Sequence, residues 1–182
     1  MSTARESEKT QKRQRQETEL AGLYEEYYDR IARYACIHIG DQCDAEDIAG
    51  DVFLKALKSL DSYQERGVPM QAWLFKIAHN LVVDYLRKKS KIKTQPVEMD
   101  VLQVGDDPIA VAETTIQMQR VNGAMQKLTA EQRQVVSLRF LGGMASKEVA
   151  QIMNKTDGAV REMQRAALER LRTMLATESQ PW

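Results

Sequence analysis

The segment from Pro69 to Lys91 constrains the fold of this chain more than any other, since no further proline and no glycine interrupts it before Pro96. Proline is accepted at the first position of a helix, because its missing N–H would have no partner there. At about 100° per residue, one face of the segment is apolar and the opposite arc is polar. The pattern therefore predicts an amphipathic helix. Its apolar face comprises Leu74, Ile77, Ala78, Leu81, Val82, Tyr85 and Leu86.

The polar arc of this helix includes a tryptophan, Trp73, beside Lys76 and Asn80. An indole among cations and an amide is typical of a surface that contacts phosphates and stacks on bases. The alternative is an ordinary core helix whose tryptophan covers the edge of the core. The rest of the chain has to decide between the two.

Charge is sorted into patches along the 182 residues, although 26 basic and 26 acidic residues cancel overall. Residues 41–51 carry acids and no base, and residues 87–93 carry bases and no acid. Residues 94–119 are again purely acidic, and residues 120–175 hold twice as many bases as acids. Such sorting favours several partners of different sign, or simply a solvated surface. The length suits two small domains.

Neither a membrane segment nor a metal site is expected from the sequence. No apolar run approaches the ~18 residues of a membrane span, and the N-terminus lacks a signal-peptide core. Cys36, His38 and Cys43 are three candidate ligands without a fourth nearby, so Cys36 is interpreted as a small apolar packing residue. We expect a cytoplasmic protein with no cofactor.

The N-terminal half predicts two further helices before Pro69. Residues 1–18 are polar without periodicity and are interpreted as a flexible tail. Apolar residues then recur at helical spacing from Leu20 to about Gly40. Asp44 is the expected N-cap of the second helix, and residues 61–69 are the expected loop.

The C-terminal half predicts a linker followed by four helices. Residues 94–108 are acidic and hold two prolines and a glycine, which is typical of a linker. Asp107 and Pro108 start a helix that runs to about Lys127. Further helices are expected after the capping box Thr129–Gln132, from Ser146 to Met153 and from about Asp157 to Leu175. With no strand-like alternation, the fold class is all-α.

Residues 146–165 have the spacing of a helix-turn-helix. Ala150 is small enough for a close helix crossing, and Asn154 suits a turn that needs positive φ. Val160 and Met163 would hold the second helix on the first. Lys155 departs from the usual apolar residue at its turn position.

Three segments in this order resemble bacterial RNA polymerase sigma factors of the extracytoplasmic-function (ECF) type. They are DAEDIAGDVFLKAL (44–57), AWLFKIAHNLVVDYLRKK (72–89), and residues 128–172 around the helix-turn-helix. The resemblance implies a sigma region 2-like domain at 19–92, a linker at 93–107 and a sigma region 4-like domain at 108–182. It implies an initiation factor for a stress or signal-responsive regulon, and not an enzyme.

The resemblance also implies partners and site residues. The partners would be core RNA polymerase (β′ clamp helices and β flap), promoter DNA and an anti-sigma factor, with no membrane contact of its own. Core-polymerase contacts would be Asp44, Glu46, Asp47, Asp51 and Phe53, with Gly50 in the place of the family's usual glutamine. The −10 element would meet Tyr63, Gln64, Arg66, Trp73, Lys76, Asn80, Arg87, Lys88 and Lys89. The −35 element would meet Ser146, Lys147, Lys155, Thr156, Arg161, Glu162, Gln164 and Arg165.

Two other classes of protein remain as alternatives. A transcriptional regulator would bind DNA without the polymerase and use its N-terminal domain as a sensor. A metal-dependent hydrolase would use Glu46, Asp47 and Asp51, but a carboxylate site on helices usually draws on several facing helices. The only two histidines, His38 and His79, do not pair with this cluster in the sequence.

Overall fold

A computed structural model describes residues 2–64, 68–92 and 119–177. Every regular element within these ranges is a helix, so the predicted all-α class is confirmed. The elements are α1 Ser2–Ile39, α2 Gln42–Lys58, a short 3-10 turn Leu60–Ser62, α3 Met70–Ile92, α4 (the described helical residues 119–126), α5 Ala130–Phe140, α6 Ser146–Met153 and α7 Asp157–Thr177.

Helices α1, α2 and α3 pack against one another around a shared apolar core. Ile31 and Tyr34 of α1, Val52 of α2, and Leu74 and Phe75 of α3 are fully buried there. Burying one such side chain stabilises the fold by roughly 1.5–3 kcal/mol. The apolar face predicted for α3 points into this core, except at Leu86, which is exposed.

The connection between α1 and α2 differs from the prediction by one helical turn. Gly40 ends α1 with φ of 80°, and its N–H donates to the Cys36 carbonyl at 2.9 Å. Asp41, not Asp44, is the N-cap of α2, because its extended backbone lets the carboxylate accept the Asp44 N–H at 2.9 Å. Asp44 is therefore a first-turn residue.

The prediction of a flexible tail at residues 1–18 is wrong for the residues of this segment that the structure describes. From Ser2 onward this segment is helical and continuous with the rest of α1. Arg13 and Gln16 contact residues 61 and 63, far along the chain, which no local periodicity signals. The linker 93–107 and the start of the helix expected at Pro108 lie outside the described residues.

The C-terminal helices follow their sequence signals closely. Thr129 and Gln132 form the predicted capping box at the start of α5. Asn154 adopts the left-handed conformation, with φ of 53°, between α6 and α7. α6 begins at Ser146 as expected, and α7 extends two residues beyond the predicted Leu175.

One apolar core continues from α1–α3 into α5–α7. Val135, Leu138 and Met144 belong to the same buried cluster as Phe75. Gly142 permits the close approach, since a Cβ there would lie 2.8 Å from the Met144 methyl and 3.4 Å from the Phe75 ring. A smaller cluster beneath α4 and α7 comprises Met125, Leu128, Val136 and Ala167.

Candidate nucleic-acid interface

The acidic face of α2 is exposed, as the sequence pattern indicated. Glu46, Asp47 and Asp51 all lie at the surface, with Asp47 and Asp51 one turn apart. Their carboxylates therefore form one negative strip along the helix. Such a strip suits a basic partner surface.

Asp44, which was predicted to lie on this face, instead forms a hydrogen bond with a residue of α3. Its carboxylate accepts a hydrogen bond from the Tyr85 hydroxyl of α3, and this bond raises the pKa of Tyr85. Lys89 donates to the same hydroxyl at 3.3 Å, and its ammonium lies 5.3 Å from the Tyr85 ring centre. Asp44 and Lys89 thus join α2 to the end of α3.

Phe53 is also placed differently from its predicted surface contact. The ring is buried, 4.9 Å from the Tyr24 ring and 6.4 Å from the Tyr28 ring. The large apolar side chains that α2 exposes instead are Leu54, at 54% exposure, and Leu57, at 44%. Leu54 follows Asp47 by seven residues and Asp51 by three, so it shares their side of the helix. Leu54 was not among the contacts predicted from the sequence, although its spacing from Asp47 and Asp51 could have indicated it.

Gly50 leaves open space on the same helix. A Cβ built there would meet nothing within 4 Å. The Cβ of a glutamine, which the resemblance led us to expect at this position, would therefore fit without moving the backbone.

Trp73 lies at the start of α3 and is half-buried, packed against the core edge. Its ring lies 4.9 Å from the ring of Tyr63, at 36° between planes. Tyr63 is itself buried, and its hydroxyl donates to the Val68 carbonyl at 3.0 Å. Trp73 therefore offers only part of its ring to solvent, and Tyr63 supports it from beneath.

The remaining polar residues of this surface are mostly exposed. Lys76, Asn80, Arg87 and Lys88 lie along the solvent side of α3, and Gln64 is exposed just before it. Arg87 pairs with Asp84 at 2.7 Å. Arg66 lies outside the described residues. Lys76 thus lies within one turn of Trp73, whereas Arg87 and Lys88 lie near the end of α3, beyond Asp84.

Two residues of the turn between α6 and α7 that were predicted to contact DNA make contacts within the protein. The Lys155 ammonium pairs with Glu131 of α5 at 2.7 Å and is partly covered. The Thr156 hydroxyl accepts the Ala159 N–H at 3.2 Å and so caps α7. Ala150 and Val160 are buried at the crossing, as the helix-turn-helix spacing predicted.

The outer face of α7 forms one wall of an open groove of about 560 Å³. Arg161 lies there beside Ser146, whose hydroxyl accepts from its Nε at 3.3 Å, and Asp157 pairs with it at 2.8 Å. Arg165 and Glu162 pair at 2.6 Å, and this hydrogen bond lowers the pKa of Glu162. Lys147 is exposed at the start of α6.

Arg139 of α5 completes the groove and was not found from the sequence. Its Nε donates to Gln164 at 2.9 Å, and its Nη1 donates to the Met144 carbonyl. Gln164 is therefore held in a fixed orientation at the groove floor. A cation inside an otherwise apolar helix stretch was the available signal.

No metal or membrane feature emerges in the part of the chain that is described. No three histidine, cysteine or acidic residues there cluster in a way that would hold a metal ion. Within residues 2–64, 68–92 and 119–177, no helix combines the length and the apolar character that a membrane span requires.

The comparisons with known proteins agree with this architecture. Residues 23–92 match the family Sigma-70 region 2, and residues 124–173 match Sigma-70, region 4. The ECF RNA polymerase sigma factor BldN of Streptomyces coelicolor is 30% identical over 180 residues, covering 97% of this chain and 68% of that protein. SigD of Mycobacterium tuberculosis, also an ECF RNA polymerase sigma factor, is 31% identical over 148 residues, covering 78% and 70%. The chain therefore belongs to the ECF RNA polymerase sigma factors.

Solved structures share the fold at lower identity. CnrH, in complex with the cytosolic domain of CnrY, has a TM-score of 0.67 at 22% identity, covering 94% of this chain and 96% of that one. The sigma factor RpoE of Bartonella quintana, in complex with the anti-sigma factor NepR, has a TM-score of 0.72 at 21% identity, covering 87% and 97%.

Proposed function

We propose that this protein binds core RNA polymerase, recognises the −10 and −35 elements of a promoter, and promotes strand opening so that transcription of a stress or signal-responsive regulon begins. Membership of the ECF family supports the general activity. The observation that carries the finer proposal is the separation of surfaces by charge. Residues 42–51 of α2 expose acids and no base, whereas exposed arginines and lysines outnumber exposed acids on α3, and exposed arginines outnumber exposed acids on α7.

Core polymerase would dock on the acidic face of α2. Glu46, Asp47 and Asp51 are free of the core packing that holds Asp44 and Phe53, so they remain for a basic surface such as the β′ clamp helices. Leu54 would add an apolar contact at the same place. The β flap of the polymerase would bind the C-terminal domain.

The −10 element would bind at the start of α3. A base leaving the duplex loses a few kcal/mol of stacking, and stacking on an aromatic ring returns roughly 1–3 kcal/mol. The exposed part of Trp73 supplies such a ring, and Asn80 lies on the same side of the helix. Arg87 and Lys88 would then contact backbone phosphates.

The −35 element would lie on the groove along α7. Arg161, Gln164 and Arg165 line it, and guanidinium and amide groups read base edges in the major groove. Lys155 and Thr156 would act indirectly by orienting α7 on the DNA, since Lys155 joins the turn to α5 and Thr156 caps α7.

In this proposal residues 19–92 and 108–182 are the two functional domains and 93–107 links them. An anti-sigma factor would hold the protein inactive. The complexes of CnrH with CnrY and of RpoE with NepR support a partner of this kind.

Run-off transcription with core polymerase on a pool of random promoters tests the proposal. We expect specific transcripts only when the protein is added, whereas a regulator that acts alone would bind a promoter tightly without polymerase. Asp47→Ala with Asp51→Ala should abolish core binding and leave helicity intact.

A control pair of acids on α1, Glu19→Ala with Glu25→Ala, removes the same charge from another exposed surface. It should bind core polymerase as the wild type does. Core binding that survives the α2 pair, or falls equally with the α1 pair, would show that α2 is not the docking helix.

A further inference from the structure

The N-terminal extension, residues 2–19 of α1, precedes the residues that match Sigma-70 region 2, which begin at residue 23. It nevertheless forms one continuous helix with them. Leu20, one turn beyond Gln16, is buried in the core and fixes the direction in which the extension leaves the domain. The extension therefore has a defined place beside the segment that precedes α3.

Gln16 anchors the extension through a buried polar contact. Among residues 7–19, whose burial the structure describes, every other side chain is exposed, whereas Gln16 is 9% exposed. Its Nε2 donates to the Tyr63 carbonyl at 3.5 Å. Burying an amide is unfavourable unless its polar atoms form hydrogen bonds. The Tyr63 carbonyl supplies such a partner for Nε2 of Gln16.

Arg13, one turn earlier on the same side, makes a second anchor. Its Nη1 lies 2.6 Å from the Asp61 carboxylate in the 3-10 turn, and its Nε lies 2.9 Å from Glu17. The guanidinium is thus held by its own helix on one side and by the turn on the other. Arg13 and Gln16 together contact two positions of the chain only two residues apart.

One of the two anchored positions, Tyr63, also contacts the Trp73 ring. Tyr63 lies two residues after Asp61. Its ring packs on Trp73, and its hydroxyl donates a hydrogen bond to the Val68 carbonyl. Farther along α1, the Tyr27 hydroxyl donates to the Gln71 side chain at 3.4 Å, at the start of α3. α1 therefore supports both sides of the segment between the 3-10 turn and α3.

We propose that the N-terminal extension is a positioning element for promoter opening, in which Arg13 and Gln16 fix Asp61 and the Tyr63 backbone so that Tyr63 holds Trp73 ready for an unstacked base. The inference rests on the proposed function, since it presumes that Trp73 meets the −10 element. Arg13 and Gln16 touch no DNA in this arrangement and act through Tyr63.

The test measures promoter opening by the full-length protein with core polymerase, on a promoter selected by run-off transcription. Permanganate reactivity of unpaired thymines reports opening, and core binding and closed-complex formation are measured alongside. Gln16→Ala should reduce opening by about two- to tenfold, the range expected for one lost hydrogen bond. Arg13→Asp should also reduce opening, because it replaces the attraction to Asp61 by repulsion. Core binding and closed complexes should be unchanged.

A charge exchange separates positioning from general damage. Asp61→Arg should impair opening, and Arg13→Asp combined with Asp61→Arg should restore most of it, because the ion pair is rebuilt in reverse. Arg15→Ala is the control for losing a positive charge from the same extension, since Arg15 is exposed there. It should open the promoter as the wild type does.

Three results would overturn the inference: normal opening by Arg13→Asp and Gln16→Ala, no recovery in the exchange variant, or an equal defect in Arg15→Ala. The last would mean that the extension acts through its charge on DNA. If the wild-type protein itself opened no promoter, the proposed function would fail and this inference with it.

Discussion

The amide of Gln134 in α5 donates hydrogen bonds to the Tyr34 hydroxyl of α1, one hundred residues earlier, and to Nδ1 of His79 in α3 at 2.6 Å. Gln134 and Tyr34 are both buried, and burial raises the pKa of Tyr34. A single amide thus joins the N-terminal three-helix unit to the helices that carry the helix-turn-helix.

Gln134→Leu should destabilise the protein by about 1–3 kcal/mol, because the Tyr34 hydroxyl and the His79 nitrogen would stay buried without their donor. Urea unfolding followed by circular dichroism measures the change. Tyr34→Phe combined with Gln134→Leu should recover part of the loss, since replacing both polar partners by apolar groups can be nearly neutral. Strictly additive losses in the double variant would contradict the coupling.

Mild acid should weaken the same junction. Burial, with smaller contributions from the charges of Arg133 and His79, lowers the pKa of His38 from 6.5 to about 3, and burial also lowers that of His79. Both imidazoles are therefore neutral in the folded protein near pH 7. Below about pH 6.5 these two histidines bind protons in the unfolded chain but not in the folded chain. The free energy of unfolding therefore decreases as the pH falls.

Urea midpoints measured from pH 8 to pH 5 check this. Each histidine contributes at most about 1.4 kcal/mol for each pH unit, and the loss should begin near the ordinary pKa of 6.5. His38→Phe should make the profile shallower, because it removes an imidazole whose pKa differs between the folded and the unfolded chain. Nε2 of His38 is also buried without a hydrogen-bond partner among the described residues. A profile that is flat between pH 8 and pH 5 in the wild type would refute the prediction.

Local signals predicted the helix boundaries well where the reason for the boundary is itself local. The Thr129–Gln132 capping box and the left-handed Asn154 depend on residues within one turn, and both are present. The N-terminal extension was missed because its helix is held by Arg13 and Gln16 through contacts 47 and 48 residues away. Periodicity within 1–18 contains no trace of those partners.

For the candidate site, the sequence predicted which face of each helix is charged better than it predicted which individual residues are exposed. The acidic side of α2 and the cationic side of α3 follow from helical spacing, and Glu46, Asp47 and Lys76 are exposed as that spacing requires. Asp44 and Phe53 were assigned to a surface from a motif, but α3 and α1 cover them. Burial by a neighbouring helix depends on packing that a single segment does not encode.

Gly50→Ala should stabilise the protein by roughly 0.5–1 kcal/mol, because alanine loses less backbone entropy in a helix than glycine, and a Cβ there meets nothing. Gly50→Gln should fit equally well and should also tighten core binding, if the α2 face is the docking surface. Thermal unfolding and a core-binding titration measure the two effects. Gly143→Ala is the opposite control and should lose roughly 1–2 kcal/mol, since Gly143 has φ of 64°. A destabilised Gly50→Ala protein would mean that α2 needs flexibility at this position.

Arg165→Ala should weaken binding of the holoenzyme to a duplex that carries the −35 element, because the guanidinium lines the groove along α7. A guanidinium that reads a base edge can also contact a neighbouring phosphate, and losing that contact lowers the slope of log affinity against log salt by about 1. Titrations at several salt concentrations measure both quantities. Arg172→Ala removes the same charge from the same helix, two turns farther on and outside the groove, and should leave affinity and slope unchanged. Equal losses in the two variants would mean that α7 attracts DNA by its total charge, and the groove would then not be the reading surface.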